Sequence, residues 1–250
     1  DKNSTKVLLY VFTIIREVNM TLYELITDMA KSELSNLQLA ENGVIKEESI
    51  PTVIGLINEA MLRLHTRFIL SQKQLILKTV THITNYHLTR KFAESNTEST
   101  EPYKYILDLT GEPFKDDVIR VFEVYTEEGN PLPLNDRTCA YSLYTPVSNI
   151  IQVPNPDVSN SLTVIYQAKA EKITEDLMEE DLDIPWFLLS AVRAYVAYKI
   201  FTNMVTQESS IKAQEHLKLF EGICMEAVST GLVLTGEPNI NCKFTVRGFV

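Results

Sequence analysis

The sequence predicts an α+β chain: a four-helix bundle-like α domain interrupted by a β-rich insertion and followed by an extended C-terminal tail. Three observations carry this prediction. Apolar residues recur at three- and four-residue steps in two early and two late segments, the spacing of helices that bury one face. Between them the apolar period changes to two, among β-branched residues. Past Gly231, the residues Gly236, Pro238 and Gly248 keep a helix from resuming. The implied domains are an N-terminal extension (1–19), a helical domain (20–72 and 183–231), a β-rich insertion with an acidic linker (73–182) and a tail (232–250).

Each element has its own local signal. Leu22, Leu25, Ile26, Met29, Leu34 and Leu37 form one stripe, so a first helix is expected to run to Asn42-Gly43, which reads as a C-cap pair. In the second helix Ser49 is the expected cap, Pro51 sits in the first turn, and Val53, Ile54, Ile57, Met61, Leu64 and Phe68 keep the period. From Lys73 onward Leu75, Leu77, Thr79, Thr81 and Ile83 alternate as a strand. Further strands are expected at 105–109, 118–125, 141–144, 150–153 and 162–169, with a hairpin turn at 128–131 facing Pro133-Leu134. Residues 94–102 read as a surface loop. Asp183 and Pro185 open a helix over 186–204 that is apolar on nearly every face, with Trp186 and Phe187 as core aromatics. A last helix runs from Ser209 or Ser210 to Ser229, with Ile211, Leu217, Phe220, Ile223, Cys224 and Val228 facing inward and Gly231 ending it.

Composition narrows the function. The 250 residues are 45% hydrophobic and 22% charged, an ordinary globular balance. A formal charge of −10 opposes a nucleic-acid binder held by phosphate contacts and opposes adhesion to anionic lipid. The most apolar early stretch, residues 7–15, falls well short of the roughly 20 residues that span a bilayer. Lys2 and Lys6 imitate a signal peptide, but Arg16 and Glu17 follow at once without a small-residue cleavage site. Cys139, Cys224 and Cys242 are odd in number and far apart, which argues against a disulfide framework or clustered zinc and for a reducing compartment.

Catalytic signatures are missing from the sequence. It contains no Gly-x-Ser-x-Gly elbow, phosphate-cradling glycine loop or Cys-x-x-Cys, and His82 and His87 sit across a strand end, facing different ways. His65 and His216 read as surface or edge residues. Glu112, Asp116 and Asp117 read as a solvated turn rather than an acid–base cluster. No catalytic residue, metal or cofactor is therefore expected, and the chain is read as a non-enzyme. Residues 171–183 hold seven acids against Lys172, a local charge of −6. They form either a solvated linker that complements the following helix or a patch that repels polyanions.

The order of these elements resembles the head-to-tail adaptor proteins of tailed phages, the tail tubular or head-completion ring family of short-tailed viruses. The resemblance covers residues 20–230. It is carried by Ile57-Asn58-Glu59-Ala60 through Leu64-His65-Thr66-Arg67-Phe68, by Tyr86-His87-Leu88, by Glu112-Pro113-Phe114-Lys115-Asp116-Asp117-Val118, and by Leu182-Asp183-Ile184-Pro185 leading into Tyr195-Val196-Ala197-Tyr198-Lys199. It implies a structural virion protein at the head–tail junction, assembled in the bacterial host cytoplasm. That protein would be a homo-oligomer, a dodecameric ring between the portal protein and the tail nozzle or tail proteins. Double-stranded DNA would pass through without specific binding, and no membrane is involved. Acidic walls suit such a conduit, because they let a polyanion slide, and Glu179, Glu180 and Asp181 are the channel-lining candidates. Leu232, Leu234, Phe244, Val246 and Phe249 are the candidates for an interface with portal, the favoured partner, or with a neighbouring subunit. The alternative reading is a non-enzymatic binding module that uses the β insertion to recognise a peptide or glycan. A hydrolase built on a carboxylate cluster is a third.

Overall fold

A computed structural model describes residues 20–35, 37, 39–156, 160–204 and 206–234. In it Thr21 opens the first helix, α1 (Leu22–Lys31), through a capping box: its hydroxyl accepts from the Glu24 N–H at 3.2 Å while the Glu24 carboxylate accepts from the Thr21 N–H at 3.0 Å. The helix stops at Lys31, earlier than its apolar stripe suggests. Asn42 and Gly43 do not cap it. With φ of 53° and 76° they form the left-handed turn of a small hairpin that pairs β1 (Ala40–Glu41) with β2 (Val44–Ile45). Asn-Gly serves both purposes because both need left-handed backbone.

The second helix, α2 (Ile50–Arg67), follows a 3-10 turn over Glu47–Ser49 with Pro51 in its first turn, and Ser49 supplies no side-chain cap. It buries Val53, Ile54, Ile57, Ala60, Met61 and Leu64, and also His65, which is 2% exposed rather than at the surface. A 3-10 turn over Trp186–Leu188 leads into α3 (Leu189–Thr202), buried on most faces. Trp186 stands 53% exposed instead of in the core, since the α-helix starts only after it. Then α4 (Gln207–Ser229), capped by Thr206, buries Ala213, Phe220, Cys224 and Ala227. Ile211 and Val228, expected inward, face out at 54% and 41% exposed. Small and aromatic residues supply the inner face instead. Gly231, at φ 69°, ends α4 with a Schellman pair: the Leu232 N–H donates to the Ala227 carbonyl and the Gly231 N–H to that of Val228.

The chain is α+β, with four α-helices and three sheets among the described residues, and none of those helices is long and apolar enough to cross a membrane. It divides into a helical unit, up to Phe68 and from Glu171 onward, and a β unit over residues 69–170. The acidic stretch thus belongs with the helices and not with the insertion. The reason is hydrogen bonding. The Asn58 carboxamide donates to the Ile173 carbonyl and accepts from the Ile173 N–H, both at 2.8 Å. Within the helical unit α3 packs chiefly on α4 and also against α2, while α1 packs on β2. Ion pairs join Arg193 to Glu33 (3.1 Å), Lys199 to Glu59 (2.8 Å) and Arg67 to Glu221 (2.6 Å).

The β unit contains a five-stranded antiparallel sheet and a three-stranded one. The larger has β10 (Ser161–Ala168) at its centre, between β3 (Gln72–Lys78) and β6 (Val118–Thr126), with β5 (Ile106–Leu107) and β7 (Pro131–Leu132) at the edges. The hairpin after Gly129 therefore closes on Pro131–Leu132, two residues earlier than expected. The smaller sheet orders β4 (Asn85–His87), β9 (Ile150–Gln152) and β8 (Tyr144–Val147). Leu75, Leu77, Tyr86, Ile106, Val124 and Val164 are among the buried residues of a single core. Two tyrosines brace it. The Tyr86 hydroxyl accepts from the Val80 N–H at 2.8 Å, the Tyr105 hydroxyl accepts from the His87 N–H at 2.9 Å, and their rings meet edge to face at 5.0 Å.

Candidate functional site

Two surfaces stand out, one on each unit. On the β unit an open cleft of about 650 Å³ lies where the end of β6, the loop before β8 and the approach to β10 converge. Its floor is aliphatic: Leu143, Val153 and Leu162 are buried and Leu132 is half-buried. Tyr141, 79% exposed, stands on one wall, and Glu127 and Glu128 are exposed at the rim. Most remaining polar groups are already engaged with one another. Thr126 Oγ1 accepts from the Asn130 N–H, Asn130 Nδ2 donates to Glu128, and the Thr79 hydroxyl donates to the Asn160 carbonyl. The described lining residues include no histidine, cysteine or cation. Such a cleft, with an apolar floor and acids at its edge, has the form of a binding surface.

On the helical unit the acidic segment sits beside the start of α1. The Tyr23 N–H donates to the Met178 carbonyl at 2.9 Å, the Leu22 N–H to that of Glu180 at 3.3 Å, and the Leu182 N–H to that of Met20 at 3.0 Å. The backbone of the acidic segment thereby satisfies N–H groups that the first turn of a helix leaves open. Its charges also lie at the positive end of the helix dipole. Glu179, Glu180 and Asp181 are exposed. The sequence suggested that these acids complement the helix after them; it is the helix at the other end of the unit, α1, that they serve.

Leu232 and Leu234, 51% and 67% exposed, flank the tucked-in Val233 just past α4. Phe244, Val246 and Phe249 lie outside the described residues, as does the extension 1–19. Outer residues of the helices add to this apolar surface: Leu62 on α2, Trp186, and Ile211, Leu219, Met225 and Val228 on α4 are all exposed.

The groups considered for chemistry are engaged structurally. Asp117, expected in a solvated turn, is 8% exposed; it pairs with Lys73 at 2.6 Å and accepts from the Tyr166 hydroxyl at 3.0 Å. Burial and the neighbouring carboxylate push the Tyr166 hydroxyl well above its ordinary range. Asp116, at φ 59°, accepts from the Arg90 N–H. Asp108 organises the same loop. Burial works against its charge, but the Ser95 hydroxyl and the Phe114 and Ser95 N–H groups hold its carboxyl below the ordinary value. His82 lies edge-on to Tyr103 and His87 faces Phe92. Burial pushes the Cys224 thiol up to about 11, which keeps it protonated and unreactive at neutral pH. No group of three or more histidines, cysteines or acids among the described residues could hold a metal ion.

No protein-family model matches this chain, and no curated protein matches it.

Proposed function

We propose that the chain is a structural, non-enzymatic virion protein of a tailed phage, forming a ring between portal and tail that extends the DNA channel and seats the nozzle. On this reading α1 to α4 make a bundle-like adaptor body, repeated in a dodecamer by analogy with the family that the sequence resembles. The observation that carries the reading is the apolar surface of the helical unit. Its helices bury a core and still expose Leu62, Ile211, Leu219, Met225 and Val228, with Leu232 and Leu234 beyond them. On this reading these exposed apolar side chains are where the body meets neighbouring chains. The exposed acids Glu179 to Asp181 suit a lumen through which DNA slides.

Gel filtration and negative-stain imaging, with and without the cognate portal, test this. A ring with a central hole, formed alone or on portal, is the expected result. A monomer indifferent to portal would sink the reading. Replacing Glu179, Glu180 and Asp181 with lysine should slow DNA ejection from reconstituted virions, and unchanged ejection would remove these acids from the channel.

A second reading has an observation of its own. The cleft between Tyr141 and the Glu127-Glu128 rim would suit a non-enzymatic binding module that grips a peptide or glycan. A monomer indifferent to portal that still retained such a ligand would favour this reading over the ring.

A further inference from the structure

The cleft of the β unit carries a commitment about what fills it. With Glu127 and Glu128 at the rim and no cation among the described lining residues, it disfavours phosphates, nucleic acid and other anions. A glycan needs hydrogen-bonding groups that are ready to read hydroxyls. Here the Thr79 and Thr126 hydroxyls and the Asn130 amide are already engaged with neighbouring protein groups. What the surface offers is an aliphatic floor, one exposed aromatic ring, two carboxylates and the exposed carboxamides of Asn155 and Asn160, which can also pair with a peptide backbone. Its complement is an extended peptide with apolar side chains on one side and cations on the other.

The chain itself contains that pattern. In Lys243-Phe244-Thr245-Val246-Arg247 an extended backbone would put Phe244 and Val246 on one face and Lys243 and Arg247 on the opposite one. Residues 239–250 hold two cations and no acid, within a chain of net charge −10. We propose that this segment of a second copy docks in the cleft, Phe244 and Val246 on the floor formed by Leu143, Val153 and Leu162, and the two cations reaching Glu127, Glu128 and the ring of Tyr141. The nine steps from Leu234 to Lys243 reach about 30 Å when extended. The inference rests on the ring reading in naming a second copy. It chooses the neighbouring subunit over portal as the destination of residues 243–247.

The test uses the full chain without portal, carrying a photo-crosslinking amino acid in place of Phe244. Irradiation should join two copies, with the crosslinked peptides mapping to the segments around Tyr141, Leu143 and Leu162. Glu127→Lys with Glu128→Lys should lower the yield about tenfold, as expected when attractive contacts become like-charge ones. Adding Lys243→Glu with Arg247→Glu should restore it. Tyr141→Ala, at a side chain exposed enough to leave folding intact, should lower the yield by itself. Crosslinks confined to one chain, crosslinks mapping elsewhere, a yield indifferent to charge reversal, or selective glycan retention by the cleft would each overturn the contact. Because ring formation is scored separately by imaging on portal, a ring whose crosslinks lie elsewhere removes this contact alone.

Discussion

The two units handle apolar surface differently. Among the described residues the β unit exposes five large apolar side chains (Ile76, Tyr103, Leu109, Tyr141 and Val147), while the helical unit, of similar size, exposes ten. The β unit also turns its polar groups inward. Tyr86, Tyr105 and Tyr166 bury their rings and still hydrogen-bond within the same unit. The helical unit buries α3 on most faces and still leaves leucine, isoleucine, methionine and tryptophan exposed, where the β unit leaves fewer large apolar side chains outside. The contrast teaches that core formation and the supply of sticky surface are separable demands, met here in the same helices.

The contrast is tested most severely at the cores. Leu64→Ala should cost about 2 to 5 kcal/mol, with Val196→Ala nearer the lower end, because both are fully buried in the helical unit. Leu77→Ala should cost a similar amount in the β unit, where hydrogen exchange should rise within residues 69–170 before it rises in the helices. Negligible losses in denaturant melts at Leu64 and Val196 would dissolve the helical core described above.

Next in size is the loop hub. Asp108→Asn sets an amide against donors that now meet a carboxylate and should cost about 1 to 2 kcal/mol at neutral pH. The native carboxyl titrates below its ordinary 3.8, so its contribution is complete above that value and is lost as pH falls through the lower native value. The gap in Tm between wild type and variant should therefore be full at pH 7 and close under acid conditions. A gap that persists in acid would mean that Asp108 acts through packing.

Tyr166→Phe removes one hydrogen bond to Asp117 and leaves Lys73 in place, so about 1 kcal/mol is expected in a denaturant melt. The smallest effect sharpens the contrast most. Ile211→Ser with Met225→Ser should leave monomer stability within about 0.5 kcal/mol, since both side chains face outward, while sedimentation shows weaker self-association. A large loss of stability with unchanged association would make this face part of the fold after all.

Much of this was legible in the sequence, for reasons that differ along the chain. The second helix and the strand over 72–78 follow from period, because burial on one face imposes it, whereas the third helix follows from its long apolar run and the strands over 118–126 and 161–168 from their β-branched and aromatic residues. The end of α1 was not legible, because Asn42-Gly43 suits a helix stop and a hairpin equally and only the pairing of Ala40 with Ile45 decides. The outward turn of Ile211 and Val228 was missed because the helix buries Ala213 and Ala227 in their stead. The charge of residues 171–183 could be read directly. That their backbone caps α1 could not, since Tyr23 and Met178 meet only after folding. The cleft left no local signal at all, being lined by side chains from separate stretches between Thr79 and Leu162. Asp117 likewise looked solvated until Lys73 and Tyr166 were brought to it.

The carboxamide of Asn58, clasping both backbone groups of Ile173, has a consequence for the timing of synthesis. Its partner lies 115 residues downstream, beyond the whole β unit. A ribosome adding about 5 to 20 residues each second needs about 5 to 20 s to make the intervening hundred. During that interval α2 has emerged with Ile57 and Leu64 not yet covered by α3, and the β unit gains its central strand, β10, only at Ala168, still ahead of α3 and α4. The β unit can thus finish folding on the nascent chain first, and the helical unit closes around residues that have waited longest. The apolar face of α2 therefore stays uncovered past the synthesis of Ile173, until α3 has left the ribosome.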